Sequence, residues 1–138
     1  MKLFSVSKDG GPDSSVTGYW LIEWKGLFSI CLLQFVGSSR DAFHTHAFHA
    51  ISWVLSGRLE ETLLSTGEMI AYEPSLLPII TPRKRAHKVD SVGTSWVLSF
   101  RGPWCRNWEE VIELDNKVIK RTLTNNRKVV NETILARV

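Results

Sequence analysis

The chain lacks the features that mark exported or membrane-bound proteins. Its 138 residues include only two cysteines, Cys31 and Cys105, and neither belongs to a CxxC or CxH pair. The apolar patch near the N-terminus is too short for a signal peptide, so no disulfide is expected. No apolar run approaches the roughly 20 residues that a membrane span requires. We therefore expect a soluble cytoplasmic protein that has no membrane partner.

The sequence also has little excess charge of one sign. The formal net charge is +3, which does not by itself indicate a nucleic-acid partner. The basic residues near the C-terminus are interleaved with apolar ones, as on the solvated face of a strand. We do not expect nucleic acid as a partner. The sequence also lacks a glycine-rich phosphate-binding loop, a dinucleotide-binding motif and a group of residues typical of nucleophilic catalysis.

What the sequence does have is the alternation typical of β-strands. Residues 16–25 and 94–100 alternate between two faces, and turn signals recur every eight to twelve residues. Pro74, Pro78 and Pro82 recur every four residues, which excludes a helix and leaves room for a short edge strand at most. The pattern predicts a single all-β domain, a sandwich or barrel. Residues 37–41 are predicted to form a turn.

Three of the four histidines crowd into the stretch FHTHAFHAISWVLSG. His44 and His46 are two residues apart, so on a strand both side chains would project to one face, as two ligands of one metal must. His87 follows about forty residues later in a segment opened by a proline and is a candidate third ligand. His49 would face the other way unless a bulge or turn re-aims it. It is either a fourth ligand or a group beside the metal that acts as acid or base, and we favour the second role.

This stretch resembles the first motif of the cupin superfamily: a glycine, a spacer, His-x-His, a glutamate and a second glycine. Gly37, His44, His46 and Gly57 keep the spacing, but Ala50 stands where most cupins have the glutamate. The second motif, Pro-x-Gly-x-x-His, is half matched. Its proline and histidine positions correspond to Pro82 and His87, whereas Lys84 replaces the glycine. The resemblance covers roughly residues 27–101.

The resemblance implies a cupin-like double-stranded β-helix, or jelly-roll barrel, with a metal inside it. We expect one domain over residues 1–138, with a core at about 16–108 and a C-terminal extension at 109–138. The extension is predicted to be an added meander, a dimer-forming arm or partly disordered, in that order. In most cupins the missing glutamate is a fourth ligand. Cupins that bind metal through histidines alone exist, however, the thiol dioxygenases among them.

Two classes of function follow from this resemblance. The first is a metal-binding cupin acting as a dioxygenase-like enzyme on a small, anionic molecule, with His44, His46 and His87 holding the metal and His49 catalytic. Imidazole ligands suit iron, zinc, nickel and copper alike. The second is a non-catalytic module that binds a small molecule or assembles with a partner, the metal being structural or absent. Because cupins commonly dimerise, we also expect a homodimer.

Other residues are candidates for the lining of the cavity. Trp53, Phe48, Trp96 and Tyr72 would make it aromatic, although plain core packing would explain each of them. A basic cluster at the mouth would favour an anionic substrate, unless it is only a solvated loop; its members are Arg83, Lys84, Arg85 and Lys88. Of the adjacent pair Glu60 and Glu61, one could point inward as a base, but two exposed carboxylates are the expectation.

Overall fold

The computed structural model describes residues 1–38 and 42–137, and this part of the chain consists of β-strands and the segments that join them. Residues 39–41 of the predicted turn lie outside it. The strands are β1 Lys2–Lys8, β2 Val16–Trp24, β3 Phe28–Val36, β4 Phe43–His44, β5 Ala50–Ser56, β6 Leu59–Leu63, β7 Met69–Tyr72, β8 Ile79–Thr81, β9 His87–Ser91, β10 Thr94–Arg101, β11 Asn107–Leu114, β12 Lys117–Thr124 and β13 Val129–Arg137. None of the described residues forms a helix long and apolar enough to cross a membrane.

The strands form two antiparallel sheets. Sheet A has the order β1-β2-β3-β10-β5-β8, and sheet B the order β13-β12-β11-β4-β9-β6-β7. Two apolar clusters join the sheets: in one, Trp20 and Val97 of sheet A pack with Leu59 of sheet B, and in the other, Phe48 and Ala50 pack with Trp108. The predicted all-β fold is confirmed, and β8 is the expected short edge strand.

The C-terminal residues extend sheet B. Strands β11, β12 and β13 pair in sequence as a meander. Asp115 and Asn116 join the first two strands with φ values of 50° and 56°, as a two-residue type I′ hairpin turn requires. The meander is thus the arrangement that the tail adopts in this structure.

Two strands differ from the pattern that their sequences suggest. In β10, the residues that face inward are Ser95, Val97, Ser99 and Arg101, so the more apolar set of Trp96, Leu98 and Phe100 faces outward. In β2 the sequence predicts that two tryptophans are buried, but only Trp20 is. Trp24 is 44% exposed, because the pairing with β3 shifts register between Trp20 and Ile22.

Candidate metal centre

His44 and His46 lie where the chain leaves sheet B and crosses towards sheet A. His44 ends the two-residue strand β4, where it pairs with Glu110 of β11 on one side and with His87 of β9 on the other. His46 follows just beyond the strand, and its amide donates a hydrogen bond to the carbonyl oxygen of Arg83 at 3.1 Å. The two histidines therefore share a site, although only His44 is on a regular strand.

The rings of His44, His46 and His87 form a nearly equilateral triangle. The centroid distances are 5.0 Å between His44 and His46, 5.1 Å between His44 and His87, and 5.0 Å between His46 and His87. One ring nitrogen from each lies within 4.8 Å of the others, and the Nε2 atoms of His46 and His87 are 2.9 Å apart. Three histidines from two segments of the chain are thus close enough to hold one metal ion.

Glu61 of β6 is hydrogen-bonded to His87, one of the three histidines of this cluster. Its Oε2 accepts a hydrogen bond from Nδ1 of His87, and its Oε1 accepts one from the Tyr72 hydroxyl at 3.0 Å. A histidine that donates its Nδ1 proton keeps the lone pair of its Nε2 for a metal, and a carboxylate in this position fixes both the tautomer and the ring orientation. Burial, followed by the charge of Glu61 and its hydrogen bond with the Tyr72 hydroxyl, raises the pKa of Tyr72 to about 12.

Sequence reasoning missed the role of Glu61, which it expected to be exposed. Glu61 is 2% exposed. The available signal was the alternation in β6, because Leu59, Glu61 and Leu63 are spaced by two and must share one face of a strand. A glutamate on the same face as two leucines is a candidate for burial, and a buried carboxylate needs a partner.

The structure does not bring His49 to the other histidines. Its side chain is exposed, and its Nδ1 accepts a hydrogen bond from the backbone amide of Arg83 at 3.0 Å. It is absent both from the histidine cluster and from the residues that line the cavity described below. The catalytic role of His49 stays a prediction that no contact in the described part of the chain supports.

The histidine triangle opens into a cavity of about 400 Å³ between the two sheets. Aromatic rings form much of its wall: Phe48 lies 5.1 Å from the His46 ring and 5.1 Å from Trp104, and Trp20 and Trp108 also line it. Such a volume is in the range of small-molecule sites, roughly 300 to 1,000 Å³. Ala50 also lines the cavity, so its wall carries a methyl group at the position of the usual cupin glutamate.

An ion pair between buried Arg101 and half-buried Asp9 lines the cavity. Nη1 and Nη2 of Arg101 donate hydrogen bonds to the two carboxylate oxygens of Asp9 at 3.1 and 2.7 Å. Burial works against the charge of Arg101, but the Asp9 carboxylate more than offsets it, so the pKa of Arg101 is raised above its usual range. The guanidinium carbon also lies 4.5 Å from the Phe48 ring and 5.0 Å from the Trp20 ring. The cavity thus contains a fixed cation beside aromatic faces.

Several residues expected at the cavity lie elsewhere. Phe48 and Tyr72 line it, but Trp53 and Trp96 are on the outer face of sheet A, where Trp53 contacts Phe100 and Trp96 contacts Tyr19. The reason is strand alternation: Val54 and Val97 point inward, so their neighbours point outward. The predicted basic cluster is also absent from the lining; the cations that do line the cavity are Lys2, Lys8, Lys25, Arg101 and Arg127.

Two antiparallel sheets that enclose a cavity, with three histidines at one side of it, define an all-β jelly-roll fold. Comparison with solved structures shows which fold family this is. The chain has the cupin fold, so the predicted resemblance is confirmed as a likeness of fold. No protein-family model and no curated protein matches the sequence.

Three solved structures illustrate the likeness. The polyketide cyclase RemF from Streptomyces resistomycificus is 13% identical, with a TM-score of 0.60 over 98% of this chain and 82% of that one. A sugar phosphate isomerase of the cupin superfamily from Silicibacter pomeroyi is 9% identical, with a TM-score of 0.58 over 95% and 97%. The Fe(II) form of HppE is 12% identical, with a TM-score of 0.57 over 70% of this chain, which spans 55% of HppE.

Proposed function

We propose that this protein binds a divalent transition metal through His44, His46 and His87 and uses it to catalyse a reaction on a small molecule in the adjoining cavity. Oxygen chemistry at iron is the first candidate. The observation that carries the proposal is the triangle of imidazole rings, with centroids 5.0 to 5.1 Å apart, at the wall of the cavity. A ring triangle of this size is what three ligands of one ion need.

The donor set fits such an ion. Imidazole is a ligand for iron, zinc, nickel and copper, and the hydrogen bond from His87 to Glu61 is the support that metal-binding histidines usually have. A metal with three histidine ligands keeps positions open and supplies Lewis acidity, an activated water or, as iron, a place for dioxygen. We place iron first because the solved structures with this fold include an Fe(II) form, that of HppE.

The chain's own residues then bind and orient the substrate. Phe48 lies next to the His46 ring and Trp104 lies next to Phe48, and the two rings exclude water from that side of the cavity. Five cations and three carboxylates line the cavity, so its charge balance favours an anionic substrate, as the sequence suggested from other residues. The carboxylates are Asp9, Glu23 and Glu61.

The second candidate is a non-catalytic module that binds the same class of small molecule, with the metal structural or absent. One observation favours it: Glu61, the carboxylate nearest the histidines, is engaged by His87 and Tyr72 and is therefore not available as a general base. Ala50 supplies no carboxylate in its place. Turnover by the metal-loaded protein separates the two candidates, since a binding module shows none.

The experiment that tests the metal site compares four alanine variants by elemental analysis after purification without added chelator. We expect about one metal ion per chain in the wild type and loss of most of it in H44A, H46A and H87A. H49A is the matched control and should keep its metal. Unchanged metal content in H46A would refute the site, and loss of metal in H49A would make His49 a fourth ligand. Dioxygen uptake by the iron-loaded protein with a panel of aromatic and anionic compounds then tests catalysis.

We also propose a homodimer that forms through the outer face of sheet A. The pairing register brings Val6, Tyr19, Leu32, Leu98 and Trp53 into one row across five neighbouring strands. With strands about 4.8 Å apart, this row is roughly 20 Å wide. A contiguous apolar face of this extent is more typical of an interface than of a solvated surface. A second copy of the chain offers the complementary apolar face.

A further inference from the structure

A groove on the outer side of sheet B borders the histidine cluster. It shares Thr45, His46 and Trp108 with the cavity. Trp108 is buried, so Glu109, the next residue of β11, projects to the outer face of the sheet, and Thr122 pairs with it from β12. Glu109 and Thr122 line the groove as well. The groove is thus on the outside of the sheet, and His46 is part of the wall that it shares with the cavity.

Three cationic side chains line this groove, those of Arg83, Lys84 and Arg106. Arg83 and Lys84 are the two central residues of a hydrogen-bonded turn that starts at Pro82. Arg106 belongs to a different segment, which leads into β11. Nη1 of Arg83 donates a hydrogen bond to Sγ of Cys105, and this contact joins the two segments. The three cations therefore come together at one groove from two parts of the chain.

These three cations have no ion pair with a carboxylate in the described part of the chain. Elsewhere on the surface, Arg58 and Arg121 each pair with two carboxylates. Glu109 is the one carboxylate among the described residues of the groove, and it is paired with Lys120 at 3.2 Å. The groove thus has an excess of positive charge, and such an excess attracts anions.

Arg83 is held in place and still has donors to offer. Its carbonyl oxygen accepts a hydrogen bond from the His46 amide at 3.1 Å, and its own amide donates one to Nδ1 of His49 at 3.0 Å. Cys105 engages only Nη1 of its guanidinium. Nε and Nη2 have no partner in the part of the chain that the structure describes, and both are open to solvent. A ligand in the groove can therefore reach two N–H-bearing atoms of an arginine whose position is already fixed.

The donors and the charge of the groove match a phosphate group. The planar guanidinium of an arginine donates parallel hydrogen bonds to phosphate oxygens, and a lysine adds a compact positive charge. A phosphate group carries about −1.5 to −2 charges at pH 7. It therefore balances the excess of the groove better than a single carboxylate does.

We propose that the groove binds a phosphate group, as free phosphate or in a small ester, through Arg83, Lys84 and Arg106. Arg83 donates hydrogen bonds to the phosphate oxygens, and the other two side chains supply charge. The site lies outside the cavity and needs no metal, so it goes beyond the proposed function and does not depend on it. Lys84 stands where the second cupin motif has glycine, so one of the three cations is a residue by which this chain departs from the motif.

Calorimetric titration of the metal-free full chain at low ionic strength tests the site. The probes are inorganic phosphate, phenyl phosphate and benzoate, which keeps the ring of phenyl phosphate but has a single charge. We expect both phosphates to bind with a Kd of about 1 mM or below, and benzoate to bind at least about fivefold more weakly. Tighter binding of phenyl phosphate than of phosphate would identify the ligand as an ester, and equal binding would identify it as free phosphate. Equal affinity for benzoate, or no binding of either phosphate, would overturn the proposal.

Matched double variants locate the binding. K84Q/R106Q removes two charges from the groove and should weaken phenyl phosphate binding by at least about 10-fold. K128Q/R137Q removes two charges from exposed residues that line neither the groove nor the cavity, and it should bind like the wild type. K84R/R106K keeps both charges and should bind within about threefold of the wild type. Equal weakening by the two glutamine variants would show that binding follows net charge alone, which would refute the site.

Two further measurements separate the groove from other places where phosphate could bind. The titration is repeated with the metal-loaded protein and with a single-stranded oligonucleotide. Phosphate binding by the metal-loaded protein alone would place the phosphate at the histidines and overturn the proposal. Binding of the oligonucleotide without binding of either small phosphate would make the groove part of a nucleic-acid surface, which would also overturn it.

Discussion

Glu61 shows how one residue can set the geometry of the histidine cluster without belonging to it. Burial opposes the charge of this carboxylate, but the hydrogen bond and charge of His87 and the Tyr72 hydroxyl act the other way and are stronger together. The net result is that the pKa of Glu61 is lowered. The carboxylate therefore keeps its charge and accepts a hydrogen bond from Nδ1 of His87. This pair fixes the direction in which Nε2 of His87 presents its lone pair.

We predict that E61A lowers metal affinity by about 10- to 100-fold, which is the usual effect of removing such a partner. E61Q should lie between E61A and the wild type, because its amide oxygen still accepts the hydrogen bond but carries no charge. The measurement is competition with a chelator of known affinity. E60Q is the matched control, since Glu60 is next in sequence and its carboxylate pairs with Arg58 instead of with a histidine. An E61A affinity within twofold of the wild type would contradict this role.

The three histidines of the site could be predicted from the sequence, whereas most of its other residues could not. The spacing of His44 and His46, with the cupin resemblance at His87, named the three residues that the structure brings together. It could not place Arg101, because an arginine in an alternating strand looks like an exposed residue. Only the folded chain brings Asp9 to it from 92 positions away. Contacts of this kind depend on tertiary packing, which no local pattern encodes.

At the scale of the elements, alternation predicted where strands lie but not which face is buried. Strand β10 was expected at 94–100 and is observed at Thr94–Arg101. Its two faces follow from the period of two, but the sequence contains nothing that says which of them meets sheet B. Trp96 was a candidate for the cavity lining, but the structure places its face of β10 outside. A bulge has the same effect on β2, because one extra residue reverses every side chain that follows.

The turn between β5 and β6 depends on Gly57. Its φ of +86° is unfavourable for other residues, and a Cβ there would lie 2.6 Å from the Thr94 carbonyl oxygen and 2.7 Å from Cα of Ser95. Gly67 has a similar φ of +68°, but a Cβ there would meet nothing within 4 Å. The two glycines thus separate the cost of the backbone conformation from the cost of a clash.

We predict that G67A lowers the free energy of unfolding by about 1 kcal/mol, the cost of a left-handed backbone for alanine. G57A should lower it by about 2 kcal/mol more, because the new methyl group must displace the neighbouring strand. Urea denaturation of both variants and the wild type measures the difference. Equal destabilisation by the two substitutions would show that β10 moves aside for the new methyl group at no cost in stability.

At the scale of the whole molecule, the outward apolar face of sheet A predicts association. We expect size-exclusion chromatography with light scattering to show a dimer. L98D should weaken this dimer by at least about 30-fold, because Leu98 lies within the apolar row, between Leu32 and Trp53. I134D is the comparison variant, since Ile134 is on the exposed tail strand β13. Dissociation by I134D rather than L98D would make the tail the interface.

Strand β4 has only two residues, yet it connects the two parts of sheet B. One part is the meander of β11 to β13, and the other consists of the strands β9, β6 and β7. His44 pairs with His87 across one side of it. An ion bound by both histidines would clamp this narrow connection. We therefore predict that the amide protons of β11 exchange with deuterium more slowly in the metal-loaded protein, whereas those of β1 do not change. Equal protection of β11 with and without metal would contradict this prediction. Slower exchange in the metal-loaded protein would mean that the exchange rate of the C-terminal strands reports whether the histidines hold a metal ion.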